Sequence, residues 1–412
     1  MSGRLALGSR AAVLRHPNFR LLFFATLGSG VGTWMATVAL TAEVASRTES
    51  PWWVSALFLV TFLPSVIVGL VAGPLIDRLS RKWLIVTSDV VRLLVFVALP
   101  FSPSATELIV LAAVAGVANS FFRPAVLAGV PNLIEESELA AGTSLLQATD
   151  WVATALGPIL GGAIVGATGP HAVYWLNAAT FLFSAVLLVR IPARFLQSEQ
   201  GITRGHWRDL RDGLAVFKQS RALFTVLVAF GLTMLATGLV NVTEIFLAKR
   251  AFNSGAFGYG LLWTATGVGL VAGSLYTSAV LERRQVIAIY PLAFVPWAAG
   301  TVAAALAPNV WLAAVAMVVS GFGNGLAFPM TVLIIQRHTS DRLRGRAFTV
   351  IISAHNALLG TAMVASGELT NAVGPRWTYG IAAALTLSGG LTAWILSRAV
   401  VRQPAVVRQQ AA

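Results

Sequence analysis

The chain has 412 residues, of which 57% are apolar and only 11% charged, against about 25% charged in an ordinary soluble domain. A soluble fold of this length has too little polar surface to cover so much apolar material, so composition selects a multi-pass membrane protein. The net charge of +13 raises the question of nucleic acid, and the placement of the arginines answers it.

A spanning helix needs about 20 mostly apolar residues. Twelve such stretches follow one another, near 20–45, 52–73, 83–101, 107–130, 142–167, 171–190, 222–247, 258–280, 286–306, 309–334, 346–367 and 375–398. The first is too long for the apolar segment of a cleavable signal peptide and reads as the first span. Most connections are short, which suits antiparallel neighbours; the long one, from Ile191 to Arg221, falls in the middle. Of the 29 basic residues, 23 lie in the N-terminus, the even-numbered loops and the C-terminus. Four (Arg47, Lys249, Arg250 and Arg376) lie on the other side, and Arg92 and Arg123 lie inside spans. The excess of positive charge on inner loops places both termini in the cytoplasm, so the net charge is a topology signal and nucleic acid is not an expected partner.

The two halves repeat each other at an offset near 200. Gly69-Leu70-Val71-Ala72-Gly73-Pro74-Leu75 returns as Gly269-Leu270-Val271-Ala272-Gly273-Ser274-Leu275, and Leu111–Ala115 returns as Leu312–Ala316. Gly169-Pro170, followed by Tyr174, returns as Gly374-Pro375, followed by Tyr379. The expected fold is therefore an all-α membrane protein of twelve transmembrane helices in two parallel six-helix bundles. Residues 1–190 form one bundle and 222–398 the other, with a cytoplasmic linker at 191–221 and a cytoplasmic tail at 399–412. That is the layout of major facilitator transporters, in which a substrate site lies between the halves near mid-membrane.

Between the second and third spans stands Gly73-Pro74-Leu75-Ile76-Asp77-Arg78-Leu79-Ser80-Arg81-Lys82. It resembles the major facilitator loop signature G-x-L-x-D-R-x-G-R-[KR], with Ser80 in place of the second glycine. The resemblance implies a cytoplasmic latch built from Gly73, Asp77, Arg78, Arg81 and Lys82. Asp77 suits the positive end of a helix, and the arginines suit carboxylates or lipid phosphates. Thr277 stands where the second half would carry Asp77. In the fifth span, Gly157, Pro158, Gly161 and Gly162 resemble the G-P-x-x-G-G core of the antiporter motif of exporters, in which proline bends a helix and glycines admit a neighbour. His16–Phe24, Asn119–Ala125, Asp209–Leu214 and Leu343–Arg346 resemble the third drug–proton antiporter group, which includes macrolide-efflux and enterobactin-exporter relatives. The R-x-x-Q-G signature of other drug antiporters is absent: the matching positions are Ala112, Ala115 and Gly116.

Charges inside a membrane are costly, which makes each a functional candidate. Asp150 and Arg123 lie on adjacent spans at similar depth, roughly 12 and 10 Å from the cytoplasmic ends, and are expected to form a buried pair, either one that exchanges a proton or a permanent structural ion pair. Glu43 and Glu244 each lie 23 residues after an arginine, Arg20 or Arg221, at the start of the first helix of a half, so they are symmetry-related near the extracellular ends. His355, in the eleventh span, is the fifth proton-coupling candidate. Asp89 and Arg92 stand three apart on one helical face and read as a structural pair. Glu135, Glu136 and Glu138 read as solvated, or as neutralising nearby loop arginines. Candidate cavity residues are Trp34, Asn119, Trp151, Asn177, Asn241, Trp263 and Asn324, a mixed aromatic–amide set suited to bulky amphipathic cargo. The glycines of Gly321–Gly325 resemble a dinucleotide loop but lie within a span and read as packing glycines.

There is no cysteine, the five histidines lack ligand spacing, and none of the three lysines lies in a GxxxxGK[ST] loop. No GxSxG elbow occurs. The chain is therefore expected to be no enzyme, with no metal and no cofactor. With the resemblance, it is expected to be a monomeric exporter in the cell membrane, taking small amphipathic organic molecules such as drugs or secondary metabolites in exchange for protons. A siderophore or metabolite exporter and a lysolipid flippase are the alternatives on the same fold.

Overall fold

The structure, a computed structural model, describes residues 13–71, 79–193, 196, 220–280, 286–339 and 341–401. Among them are 12 helices long and apolar enough to cross a membrane, and no strand. In chain order they are α1 (Pro17–Thr48), α2 (Pro51–Val71), α3 (Arg81–Ala98), α4 (Ala105–Gly129), α5 (Leu139–Thr168) and α6 (Pro170–Val189). The second half supplies α7 (Arg221–Phe246), α8 (Gly255–Val280), α9 (Phe294–Leu306, the end of a span that begins at Val286), α10 (Val310–Arg337), α11 (Asp341–Val373) and α12 (Pro375–Val401).

Local chemistry sets the ends. Gly169 and Gly374 adopt φ of +86° and +80°, values that suit a residue without Cβ, and each is followed by a proline at the start of α6 or α12. The Gly-Pro repeat in the sequence is thus a repeated helix start. Ser104, Ser220 and Asn309 cap α4, α7 and α10 by accepting the N–H groups of Glu107, Leu223 and Leu312. Two spans differ from the expectation. α11 runs past its apolar stretch at both ends, since polar residues extend a helix without adding hydropathy. The ninth span is broken: a short helix, Val286–Ile289, passes into a 3-10 turn, Tyr290–Ala293, before α9. Pro291 lacks the N–H that a continuous helix would need there.

The chain forms two compact units. One comprises Met1–Glu49, Ala56–Arg204 and Gly255–Thr264; the other comprises Ser50–Ser55, Gly205–Ser254 and Ala265–Ala412. Each has a core at the same place in its half. In the first, Phe19 and Leu22 of α1 pack with Ile85 of α3, Phe122 of α4 and Leu146 of α5. In the second, Val226 and Phe230 of α7 pack with Phe294 of α9, Ile334 of α10 and Ile351 of α11. Leu94, Leu182 and Leu391 stay exposed, as suits contact with lipid. Lipid tails are as apolar as these cores, so association relies on close packing. Gly321–Gly325 illustrates it: a Cβ at Gly321 or Gly325 would strike the backbone of α8, and one at Gly323 the backbone of Trp297 on α9.

Candidate functional site

The charged side chains of the first unit fall into three sets. Arg92 is buried on α3, with Nη2 2.5 Å from Asp89 Oδ1, Nη1 donating to Asn119 Oδ1 at 3.0 Å and Nε donating to Ser88 O at 3.3 Å. Its guanidinium carbon lies 4.4 Å from both the Phe122 and Phe181 rings. Such a pair, three apart on one helix turn and closed over by aromatic faces, is a scaffold feature. It also engages Asn119, one of the expected cavity residues.

Arg123 and Asp150 do meet: Arg123 Nη1 lies 2.6 Å from Asp150 Oδ2, with Gln147 bridging them at 3.4 and 3.3 Å. Burial was expected, and here the structure corrects the sequence reading. The two side chains are 54% and 30% exposed, because residues facing each other across α4 and α5 do not thereby face the interior of the unit.

The third set surrounds Glu43 of α1. Its carboxylate lies 2.5 Å from Arg47 Nη2, accepts the Tyr174 hydroxyl of α6, and has His171 Nε2 at 3.9 Å. Arg47 also donates to Ser102 O at 2.8 Å, tying α1 to the end of the third span. Glu43 is therefore a paired group and not a solvated interfacial carboxylate. Arg47 was legible as the i+4 partner. Tyr174 was not, although the repeat had marked it, because no local pattern joins residues 131 apart.

In the second unit the repeat partner, Glu244 of α7, is only 3% exposed, and its Oε1 has no hydrogen-bond partner. His355 of α11 is likewise buried, with Nε2 unpartnered and its ring 5.0 Å from Phe230. The arginine that ties down the end of α9 comes from α12: Arg376 Nη1 donates to Ala305 O at 2.5 Å.

The glycines of the α5 motif have defined neighbours. A Cβ at Gly157 or Gly161 would strike Trp34 or the backbone of Met35 on α1; one at Gly162 would strike Ala256 O of α8. Gly260 of α8 sits equally close on Pro158 O, and Ile159 N–H donates to Thr264 Oγ1 at 3.1 Å. Proline disturbs the helix hydrogen bonding around it, and the threonine of α8 supplies an acceptor there. Trp34 and Trp263 are brought together beside this contact, ring centroids 5.1 Å apart. Trp151, Asn241 and Asn324 are half-buried. Asn177 departs from the expectation: it is fully buried in the α1–α6 contact beside Gly32, so it packs helices and lines no cavity.

Of the latch residues, Gly73, Asp77 and Arg78 lie outside the described residues. Arg81 Nη1 donates to Ala128 O of α4 at 2.8 Å and Lys82 Nζ to Val189 O of α6 at 2.7 Å, cations placed on helix C-terminal carbonyls. Among the three loop glutamates, Glu138 takes both Arg15 (3.0 Å) and His16 (2.6 Å), as a neutralising role requires.

Residues 8–407 match the family described as transmembrane secretion effector, a major facilitator family. The chain belongs to this family. It is similar to the MFS-type transporter YfiS of Bacillus subtilis, 28% identical over 380 residues, with 88% of this chain and 89% of the relative covered. It is 25% identical over 374 residues to the multidrug efflux pump Tap of Mycolicibacterium fortuitum, covering 87% of this chain and 90% of that one. A crystal structure of a bacterial homologue of the human lysosomal transporter Spinster shares the fold, with a TM-score of 0.73 at 12% identity over 96% of this chain and 98% of that one. Major facilitator proteins are transporters and not enzymes. This facilitator is thus a multi-pass membrane protein that carries small molecules.

Proposed function

We propose that this protein is a secondary active exporter of small amphipathic organic molecules, driven by inward proton movement through alternating access, in the cell membrane with both termini cytoplasmic. The observation that carries the reading is the similarity to a multidrug efflux pump along nine-tenths of that pump's length. The α5 motif supports it, since its glycines admit α1 and the start of α8 at backbone distance. In this reading the protein acts as a monomer, the loop from Gly73 to Lys82 latches the cytoplasmic side, and Trp34, Trp263, Trp151, Asn241 and Asn324 contact cargo. Asp150 with Arg123, Glu43, Glu244 and His355 are the groups through which a proton could pass.

The test is transport by the purified full chain in sealed vesicles, with a panel of lipophilic drugs and siderophores, with and without a pH gradient. Gradient-dependent accumulation of an amphipathic drug is the expected result. Equal movement of every compound in both conditions removes proton coupling, and movement of a siderophore or lysolipid alone replaces the cargo class.

A further inference from the structure

Glu43 and Glu244 occupy equivalent places in the two halves, yet their surroundings differ. Glu43 has a guanidinium, a phenol and an imidazole around it. Four residues after Glu244, where Arg47 would stand, is Ala248, itself fully buried. Glu244 has one carboxyl oxygen shut away without a hydrogen bond, and among the described residues it forms no ion pair.

The helices packed on α7 offer few charges, and those described are engaged elsewhere or stand apart. On α12, Arg376 serves Ala305 O and the Phe252 ring, and Arg398 lies over Trp394. On α11, Glu368 accepts Trp52 Nε1–H at 2.6 Å, and His355 lies beside Phe230, fourteen residues and about 21 Å before Glu244 along α7. On α10, Arg337 stands in the last turn. Beyond Glu244 the chain turns into a π-helix, Leu247–Ala251, which carries Lys249 and Arg250, the latter 4.7 Å from the Phe246 ring. Tyr379 of α12 is buried at the repeat position of Tyr174.

We propose that Glu244 is a proton-binding site of the second unit, holding a proton in this conformation and releasing it when water reaches the carboxyl during transport. An ionised carboxylate buried without a partner is the costliest arrangement open to this side chain, and the neutral acid avoids it. The step is the simplest possible: the O–H bond breaks, the proton passes to water and the carboxylate remains. Glu43, by contrast, has Arg47 and the Tyr174 hydroxyl on its carboxylate. The use of the site for coupling rests on the proton-driven reading above; its occupancy does not.

The test is infrared difference spectroscopy on the full chain in lipid nanodiscs at neutral pH, read at the carbonyl stretch of protonated carboxylic acids. The expected result is a band that disappears in Glu244→Gln and persists in Glu43→Gln, together with loss of gradient-driven accumulation in vesicles of Glu244→Gln. Should Glu244→Gln fail to fold, Glu244→Asp is expected to shift the band; a band unmoved by that change overturns the proposal. A wild-type protein that responds to the gradient but has no Glu244-dependent band overturns the site and leaves the functional reading standing. A wild-type protein that ignores the gradient yet shows the band overturns proton-driven export and leaves the site standing.

Discussion

The two units treat buried charge differently. In the first unit Asp89 pairs with Arg92, Glu43 with Arg47 and His171, Arg123 with Asp150, and Glu138 with Arg15 and His16. In the second unit, Glu244 and His355 are buried with a polar atom unsatisfied. One six-helix plan thus carries paired charges in one half and, in the other, a buried carboxyl and a buried imidazole that each keep one atom without a hydrogen bond. Pairing fixes a charge and the helices that carry it; an unpaired group can change its protonation without breaking a contact.

That contrast can be broken in measurable steps. The largest effect is expected from Arg92→Leu, which strands Asp89 in the interior. Thermal unfolding in detergent should show a loss of about 3–5 kcal/mol, and the double change Asp89→Leu with Arg92→Leu should recover most of it. Equal melting of single and double variants would remove the scaffold role. Arg47→Ala should come next, at about 3 kcal/mol, because the buried carboxylate of Glu43 then loses its closest cation and keeps only Tyr174 and the more distant His171; adding Glu43→Gln should restore part of the loss. Tyr174→Phe deletes one hydroxyl donor to the same carboxylate and should cost about 1.5 kcal/mol by the same melt. The smallest effects sharpen the comparison. Glu244→Gln and Asp150→Asn should each stay within about 1 kcal/mol of wild type, the first because an amide replaces a neutral acid, the second because its pair is half exposed. A large destabilisation by Glu244→Gln would mean that its carboxyl has an ionic partner after all.

Much of the architecture was legible in one dimension. The spans, the repeat and the helix-starting Gly-Pro pairs are written in contiguous residues, and so are Arg47 beside Glu43 and Arg92 beside Asp89. The misses share one cause. Asn177 carries the same amide as any cavity residue, but Gly32 on α1 opens the space that buries it. Asp150 finds Arg123 as expected, yet whether that pair faces inward depends on helix rotation, which depth along a span does not report. The hydroxyl of Thr264 acquires meaning only because Pro158, more than a hundred residues earlier, leaves Ile159 N–H in need of an acceptor from α8.

Sequence alone determined that this is a twelve-span membrane protein built from two related halves, because hydropathy, charge asymmetry and small-residue spacing are sums over neighbouring residues. It also determined that Glu43 and Glu244 are equivalent, since that follows from counting. Only the tertiary structure decided that the two differ. Tyr174 reaches Glu43 across 131 positions, while α7 passes into a π turn with Ala248 where an arginine would have been needed. Whether a buried carboxyl is paired or alone depends on which side chains the packing of separate helices brings within hydrogen-bond reach, and no span by itself specifies its neighbours.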